Sequence, residues 1–459
     1  MAEHWDLVVV GGGPGGYPGA LLAAELGLSV ALVEERGVGG ECLLYGCVPT
    51  KTLLRYAHAL LLASRLGAEG WSPHEAWAEA VRVSRRLSQG LKERLKGAGV
   101  EVVEARALVR GRGLVEASGR LLSAGSLLLA PGTVPSVPPP LRGLRRVVDN
   151  RGLLEEPPEP GSRVLVAGGG AVGVELAAAM AAMGYRVTLL EALPRLLPGL
   201  PRGLGSSARR LLTALGVEVH TRCPVAQAEE NNGEEIIVEA PCGRFTAGLV
   251  VAATGRRPAT RDLGVEDTGA RLDEKGYILV DEQMRTAPGV FAAGDAAGPP
   301  LLAHKAIKQS MVAAWNAVRP GEPRRYKPRA VPTVIHFPGV ELAAAGVSAE
   351  EARKQGLAVT RIRLGWSPYA LLESVDWGYV ALIHDPRDGR ILGFEAAAPG
   401  AAGIAAEAAL AIEAGLTVRQ LAETVAPHPE PEEALHEAAL AAIGEPIHYA
   451  AQKPGEKRR

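Results

Sequence analysis

Cysteine is scarce: the 459-residue chain contains four. That is too few for the disulfide framework of a secreted domain. Zinc is not expected either, because Cys42 and Cys47 lack zinc-knuckle spacing and no matching Cys or His pair follows closely. Excess charge of either sign is lacking too. Fifty basic and 51 acidic side chains leave a net charge of −1, which implies no general attraction to nucleic acid or anionic membrane. No apolar run reaches membrane-spanning length, and residues 1–6 lack the form of a signal peptide. These absences together point to a cytoplasmic protein with no membrane partner.

What is present is a repeated turn. Residues 7–10 read as a buried apolar strand, Gly11-x-Gly13-x-x-Gly16 as a tight turn, 17–26 as a helix and 30–33 as a second strand ended by Glu34. Glycines between strand and helix let backbone N–H groups approach a dinucleotide pyrophosphate, and an acid at this distance bonds a ribose 2′-OH. The pattern returns as a strand at 164–167, the turn Gly168-x-Gly170-x-x-Gly173, a helix over 174–183 and a strand at 187–190 ended by Glu191. Two bound dinucleotides are implied. The bland alternative is a duplicated scaffold with one dead site. Against it, both copies keep all three glycines and the acid.

Directly after the first unit stands Gly39-Gly40-Glu41-Cys42-Leu43-Leu44-Tyr45-Gly46-Cys47-Val48-Pro49-Thr50-Lys51. Two thiols beside a bound dinucleotide suggest electron transfer between a disulfide and a flavin. Pro49 marks a helix start over about 50–64, and a helix N-terminus stabilises a thiolate at Cys47. This stretch resembles the redox segment of the pyridine nucleotide-disulfide oxidoreductases, and among them that of the dihydrolipoamide dehydrogenases. The resemblance runs from about residue 5 to residue 448. It implies an α/β fold with two Rossmann-like domains, for FAD and NAD, and a C-terminal α+β interface domain. The expected boundaries are 1–145 with 276–325 for FAD, 146–275 for NAD and 326–459 for dimerisation.

The same resemblance assigns roles. Cys47 becomes the sulfur beside the flavin, and Cys42 the more exposed interchange sulfur. Lys51 lies near the flavin with Glu175 as counter-ion. The stretch from Thr286 to Asp295 resembles the second flavin motif, with Asp295 on the ribityl chain. Gly132 and the backbone of Ala303, in Leu302-Ala303-His304-Lys305-Ala306, also face FAD. Val225 and Gly255 join Glu191 at NAD. Ala426-Pro427-His428-Pro429-Glu430-Pro431-Glu432-Glu433 resembles the acid–base segment. His428 is then the base and Glu433 its orienting carboxylate, with Glu432 also within reach.

The function implied is oxidation of protein-bound dihydrolipoyl groups with NAD⁺ by a homodimer. The protein partner would be the lipoyl domain of a 2-oxoacid dehydrogenase complex or of the glycine cleavage system. Ala426, Glu430 and Pro131 depart from the family pattern. They keep open a glutathione reductase-like NAD(P)H-dependent reductase of another small disulfide, or a flavin-binding scaffold without disulfide turnover.

Cys223 and Cys242 flank a hairpin whose turn signal is Asn232-Gly233. A two-residue turn pairs Glu229 with Ile236 and brings Cys223 opposite Cys242, within disulfide reach. Whether they bond is left open, since cytosolic thiols are normally reduced.

Overall fold

The computed structural model describes residues 2–67, 72–231 and 235–448. They gather into two compact units. One comprises Met1–Leu53, Trp71–Pro160 and Val251–Lys327, the other Leu54–Gly70, Gly161–Val250 and Pro328–Arg459. Among the described residues, no helix is long and apolar enough to cross a membrane, and no His, Cys, Asp or Glu cluster could hold a metal ion.

The first unit is built on the strand Glu3–Val10. It lies between Val30–Glu34 and Arg120–Leu129, parallel to both, and Val100–Glu104 and Val290–Ala292 extend the sheet on either side. Leu7, Val8 and Val9 are fully buried, as expected for a parallel strand covered on both faces. Burying each such side chain contributes about 1.5–3 kcal/mol. The helices Tyr17–Glu25 and Ala303–Val318 pack closely, the Gly19 N–H donating to Ser310 Oγ at 2.9 Å. A 19-residue helix, Cys47–Arg65, starts in this unit.

In the second unit the strands Arg163–Ala167, Arg186–Glu191 and Glu218–Thr221 pair in parallel. The C-terminal part forms a five-stranded antiparallel sheet in the order Thr333–Phe337, Val340–Gly346, Ile391–Ala398, Tyr379–His384, Ala358–Arg363. Its core is rich in alanine and leucine from the sheet and from the helices Ala401–Ala414 and Glu433–Ala442.

The hairpin expectation needs a correction. Asn232 and Gly233 lie outside the described residues, but the ladder beside them is clear: Asn231 pairs with Glu235, and Glu229 with Ile237 rather than Ile236. Three residues, not two, separate the paired ends, which slides the register by one. The cysteines tolerate the slip because they lie beyond the ladder, which ends at Gln227 opposite Glu239. Cys223 and Cys242 form a disulfide with Cα atoms 5.7 Å apart. Cys223 is buried and Cys242 exposed.

The disulfide closes a loop with a sequence separation of 19. Cys242→Ser should therefore lower the unfolding free energy by about 3 kcal/mol on the chain-entropy model. Urea denaturation of the variant and of the parent under non-reducing conditions measures this. Equal midpoints and slopes would show that the bond contributes nothing.

Candidate active site

The two glycine turns are built alike. Gly11 has φ of +102°, and a Cβ there would lie 2.1 Å from the carbonyl oxygen of Ala130. A Cβ on Gly16 would lie 1.8 Å from the Gly11 oxygen. Neither position admits another residue. The Glu34 carboxylate accepts the N–H of Gly12 at 2.6 Å and that of Arg36 at 2.7 Å. In the second turn Glu191 accepts the N–H of Gly169 at 2.5 Å and that of Leu193 at 2.6 Å. Each acid thus braces the turn that precedes its strand, and the remaining carboxylate lone pairs suit a ribose hydroxyl. No side chain caps the helices Tyr17–Glu25 and Ala171–Ala182, and neither has an acid in its first turn. Uncapped N–H groups at both starts fit a pyrophosphate.

The first turn also gathers two other segments of its unit. A Cβ on Gly40 would lie 2.6 Å from Gly13 Cα, and one on Gly15 would lie 2.9 Å from the Ala293 oxygen. The cysteine segment and the turn carrying Asp295 therefore rest on either side of the Gly11–Gly16 loop. Gly13 reaches Cys42 through Gly40, and Gly15 reaches Asp295 through Gly294.

Cys42 sits on the short helix Gly40–Leu44, and Cys47 opens the helix Cys47–Arg65. The helix start is two residues earlier than Pro49 suggests, which places Cys47 in the first turn, where the positive end of the helix favours a thiolate. Both cysteines are thiols here. The Cys42 thiol is held well above the usual range, first by its hydrogen bond to Cys47, then by burial and the neighbouring Cys47 charge. Lys51 pulls in the opposite direction. The proton of the pair therefore stays on Cys42. The expected exposure order is reversed: in the polypeptide, Cys47 is exposed and Cys42 half-buried. Cys42 is partly covered and hydrogen-bonded to Cys47, while the first turn of the long helix leaves Cys47 open.

Asp295 follows the strand Val290–Ala292. Burial holds its carboxyl above the usual range, opposed by the charges of Lys305 and Arg256 and by a Thr133 hydroxyl at 3.3 Å. Lys305 is buried, donates to the carbonyls of Gly294 and Gly298, and is itself pushed down by burial. A buried carboxyl beside the glycine turn fits a polyhydroxyl chain. Ala303 opens the helix that carries Lys305. Gly132 has φ of +70°, and its carbonyl accepts the N–H of Ala259 at 3.0 Å. Gly255 has φ of +116°, and its carbonyl accepts the N–H of Ser136 at 2.9 Å.

In the second unit His428 Nδ1 lies 3.0 Å from Glu433 Oε1, and the imidazole is exposed. Glu433, not Glu432, is the partner, because it opens the helix Glu433–Ala442 and faces back towards the loop. Glu175 is buried and accepts the backbone N–H of His336 at 2.9 Å. Lys51, its expected counter-ion, belongs to the other unit. Val225 lies half-buried, two residues past Cys223, whose N–H bonds the Glu191 carbonyl at 2.9 Å. Arg195, the nearby cation that could have met a 2′-phosphate, is committed to the carbonyls of Leu200 and Pro198, both at 2.7 Å.

Sequence reasoning missed one group. Glu41, next to Cys42, is bonded by Asn150, Arg151 and Arg256. Its signal was a lone charge inside an otherwise apolar cysteine segment. Its partners are more than 100 residues away in sequence, where no local pattern reports them.

The model of the family "pyridine nucleotide-disulphide oxidoreductase" matches residues 5–310, and that of the family's dimerisation domain matches residues 331–439. A dihydrolipoyl dehydrogenase of Thermus scotoductus is 38% identical, with 97% of this chain and 99% of the relative covered. One from Geobacillus stearothermophilus is 34% identical, covering 98% of each. Among solved structures, LpdA of Mycobacterium tuberculosis superposes with a TM-score of 0.86 at 26% identity, over 94% of this chain and 98% of that one. The HOCl-induced flavoprotein disulfide reductase RclA of Escherichia coli shares the fold, with a TM-score of 0.85 at 24% identity over 94% and 98%. With both family models matched, and in order along the chain, this protein belongs to the pyridine nucleotide-disulphide oxidoreductases.

Proposed function

We propose that the protein is a cytoplasmic homodimeric dihydrolipoamide dehydrogenase that oxidises lipoyl-domain dithiols with NAD⁺. The observation that carries this is the Cys42–Cys47 pair, on two helices set by Gly40 against the first glycine turn. FAD, when bound, would supply a two-electron acceptor for the dithiol and a hydride donor for NAD⁺. Residues 1–145 with 276–325 would hold FAD through Gly11, Gly13, Gly16, Glu34, Gly132, Asp295 and Ala303. Residues 146–275 would hold NAD through Gly168, Gly170, Gly173, Glu191, Val225 and Gly255.

The protein's own steps follow from sulfur chemistry. A dihydrolipoyl thiolate attacks Cys42 of the oxidised pair. The Cys42–Cys47 bond breaks, a mixed disulfide forms, and Cys47 leaves as thiolate at its helix N-terminus. His428 of the partner subunit, oriented by Glu433, removes the proton from the second lipoyl sulfur. That sulfur closes the lipoyl disulfide, and Cys42 leaves and takes up a proton. Two electrons now reside on the dithiol and await the cofactor. Lys51, four residues past Cys47, would supply a positive charge beside the flavin.

A second reading, an NAD(P)H-dependent reductase of a small disulfide, is favoured by Ala426 and Glu430 in the acid–base segment. A steady-state comparison of dihydrolipoamide, oxidised glutathione and coenzyme A disulfide separates the two. Preference for either disulfide with reduced nicotinamide would overturn the first.

Partial reduction of the holoenzyme should give a long-wavelength absorption band from thiolate Cys47 beside the flavin. Cys47→Ser should abolish it and Cys42→Ser retain it. The opposite pattern would reverse the two sulfurs, as their exposure order in the polypeptide would suggest.

NAD⁺ should exceed NADP⁺ in kcat/KM by at least about tenfold, because a 2′-phosphate against Glu191 would cost several kcal/mol. Comparable efficiency with both nucleotides contradicts the assignment.

His428→Ala should lower dihydrolipoamide turnover by about 100-fold or more. Subunit exchange between His428→Ala and Cys42→Ser dimers should recover activity in the heterodimer. Verified heterodimers with no recovery would place the base within its own subunit.

A further inference from the structure

The helix that carries Cys42 has little of its own to hold it. It spans five residues, Gly40–Leu44, none of them buried. Two positive-φ glycines, Gly39 at +102° and Gly40 at +56°, precede and open it. A helix this short is unstable without tertiary support. Beside the backbone approach of Gly40 to Gly13, its side-chain support is ionic. Arg151 Nε and Nη2 reach Glu41 Oε2 at 2.8 and 2.5 Å, Asn150 Nδ2 reaches Oε1 at 2.7 Å, and Arg256 Nη1 reaches Oε1 at 3.0 Å. The same two neighbours grip the segment's far end. Asn150 Nδ2 also donates to the Tyr45 carbonyl at 2.7 Å, and the Arg151 guanidinium lies 5.2 Å from the Tyr45 ring centre. Asn150 and Arg151 are themselves fixed, since they open a helix capped by the Asp149 carboxylate. Arg256 is fixed by Thr133, through Oγ1 at 2.8 Å and the carbonyl at 2.9 Å, and that hydroxyl continues to Asp295.

Disulfide formation needs a narrow Cα–Cα distance and Cβ direction. Cys47 is anchored by a 19-residue helix. Cys42 is anchored only through its neighbours, and the clamped neighbour is Glu41. Side chains of both guanidinium partners are well covered, with Arg151 19% and Arg256 16% exposed, so the charge-assisted bonds are rigid rather than solvent-averaged.

We propose that Glu41, held by Asn150, Arg151 and Arg256, is a positioning residue that sets the dithiol–disulfide equilibrium of Cys42 and Cys47. The clamp holds the two sulfurs in bonding register and so favours the disulfide. Loss of Glu41 releases that register and shifts the pair towards the dithiol. This inference rests on the reading of Cys42 and Cys47 as the redox pair.

The test uses the FAD-loaded enzyme equilibrated in thiol–disulfide buffers, with the oxidised fraction of Cys42–Cys47 read by alkylation and mass spectrometry. Glu41→Ala should shift the equilibrium constant at least about tenfold towards the dithiol, about 30 mV for this two-electron couple. Glu41→Gln, which keeps the shape and the Asn150 bond, should shift it less. NADH-dependent ferricyanide reduction, which needs no cysteine, should change less than about twofold. Should Glu41→Ala fail to fold or to keep its flavin, Arg151→Gln is read instead, with a smaller shift of the same sign expected. A constant within about twofold of the parent in the folded variant overturns the proposal. If the parent itself forms no Cys42–Cys47 disulfide, it is the proposed function that falls.

Discussion

Close backbone approach at the Gly11–Gly16 turn is the contact on which the rest of the first unit depends. Three chain segments with no sequence proximity meet there at distances that exclude a Cβ: Ala130 behind Gly11, Gly40 beside Gly13, and Ala293–Gly294 against Gly15. A side chain at Gly11, Gly40 or Gly15 would push one segment away. The turn does more than cradle a phosphate. It fixes how far the cysteine helix stands from the Asp295 loop, and the chemistry needs that separation held.

Electrostatics then sharpen what packing places. Asp295 and Lys305 face each other in a buried setting, and burial drives each towards its neutral form. Glu41 is flanked by two guanidinium groups. Within the thiol pair the proton settles on Cys42 because that sulfur is both more covered and hydrogen-bonded to Cys47. The second unit repeats the glycine-turn logic with Glu191. It adds a histidine–carboxylate pair, His428 and Glu433, whose imidazole is exposed.

Much of this was legible in the sequence. The strand–turn–helix copies, the cysteine segment and the His428–Glu433 spacing are local patterns, and local hydrogen bonds realise them. Other features were hidden for physical reasons. The strand Val340–Gly346 reads Val-Glu-Leu-Ala-Ala-Ala-Gly, and alanine carries little β preference, so only its pairing with two neighbours makes it a strand. The hairpin register slipped by one because an Asn-Gly signal does not fix loop length. The Glu41 clamp was invisible because its partners come from two distant stretches. The exposure order of the thiols depends on which helix turn covers which sulfur, and spacing alone does not encode that.

The central claim is that one cysteine pair carries electrons and the other is a brace. Differential alkylation with mass spectrometry tests it most directly. The oxidised enzyme is reduced anaerobically with NADH or with dihydrolipoamide, labelled, and mapped by peptide. Cys42 and Cys47 should take the label under both reductants, while Cys223 and Cys242 remain bonded and unlabelled. Label on Cys223 and Cys242, or none on Cys42 and Cys47, would contradict the account.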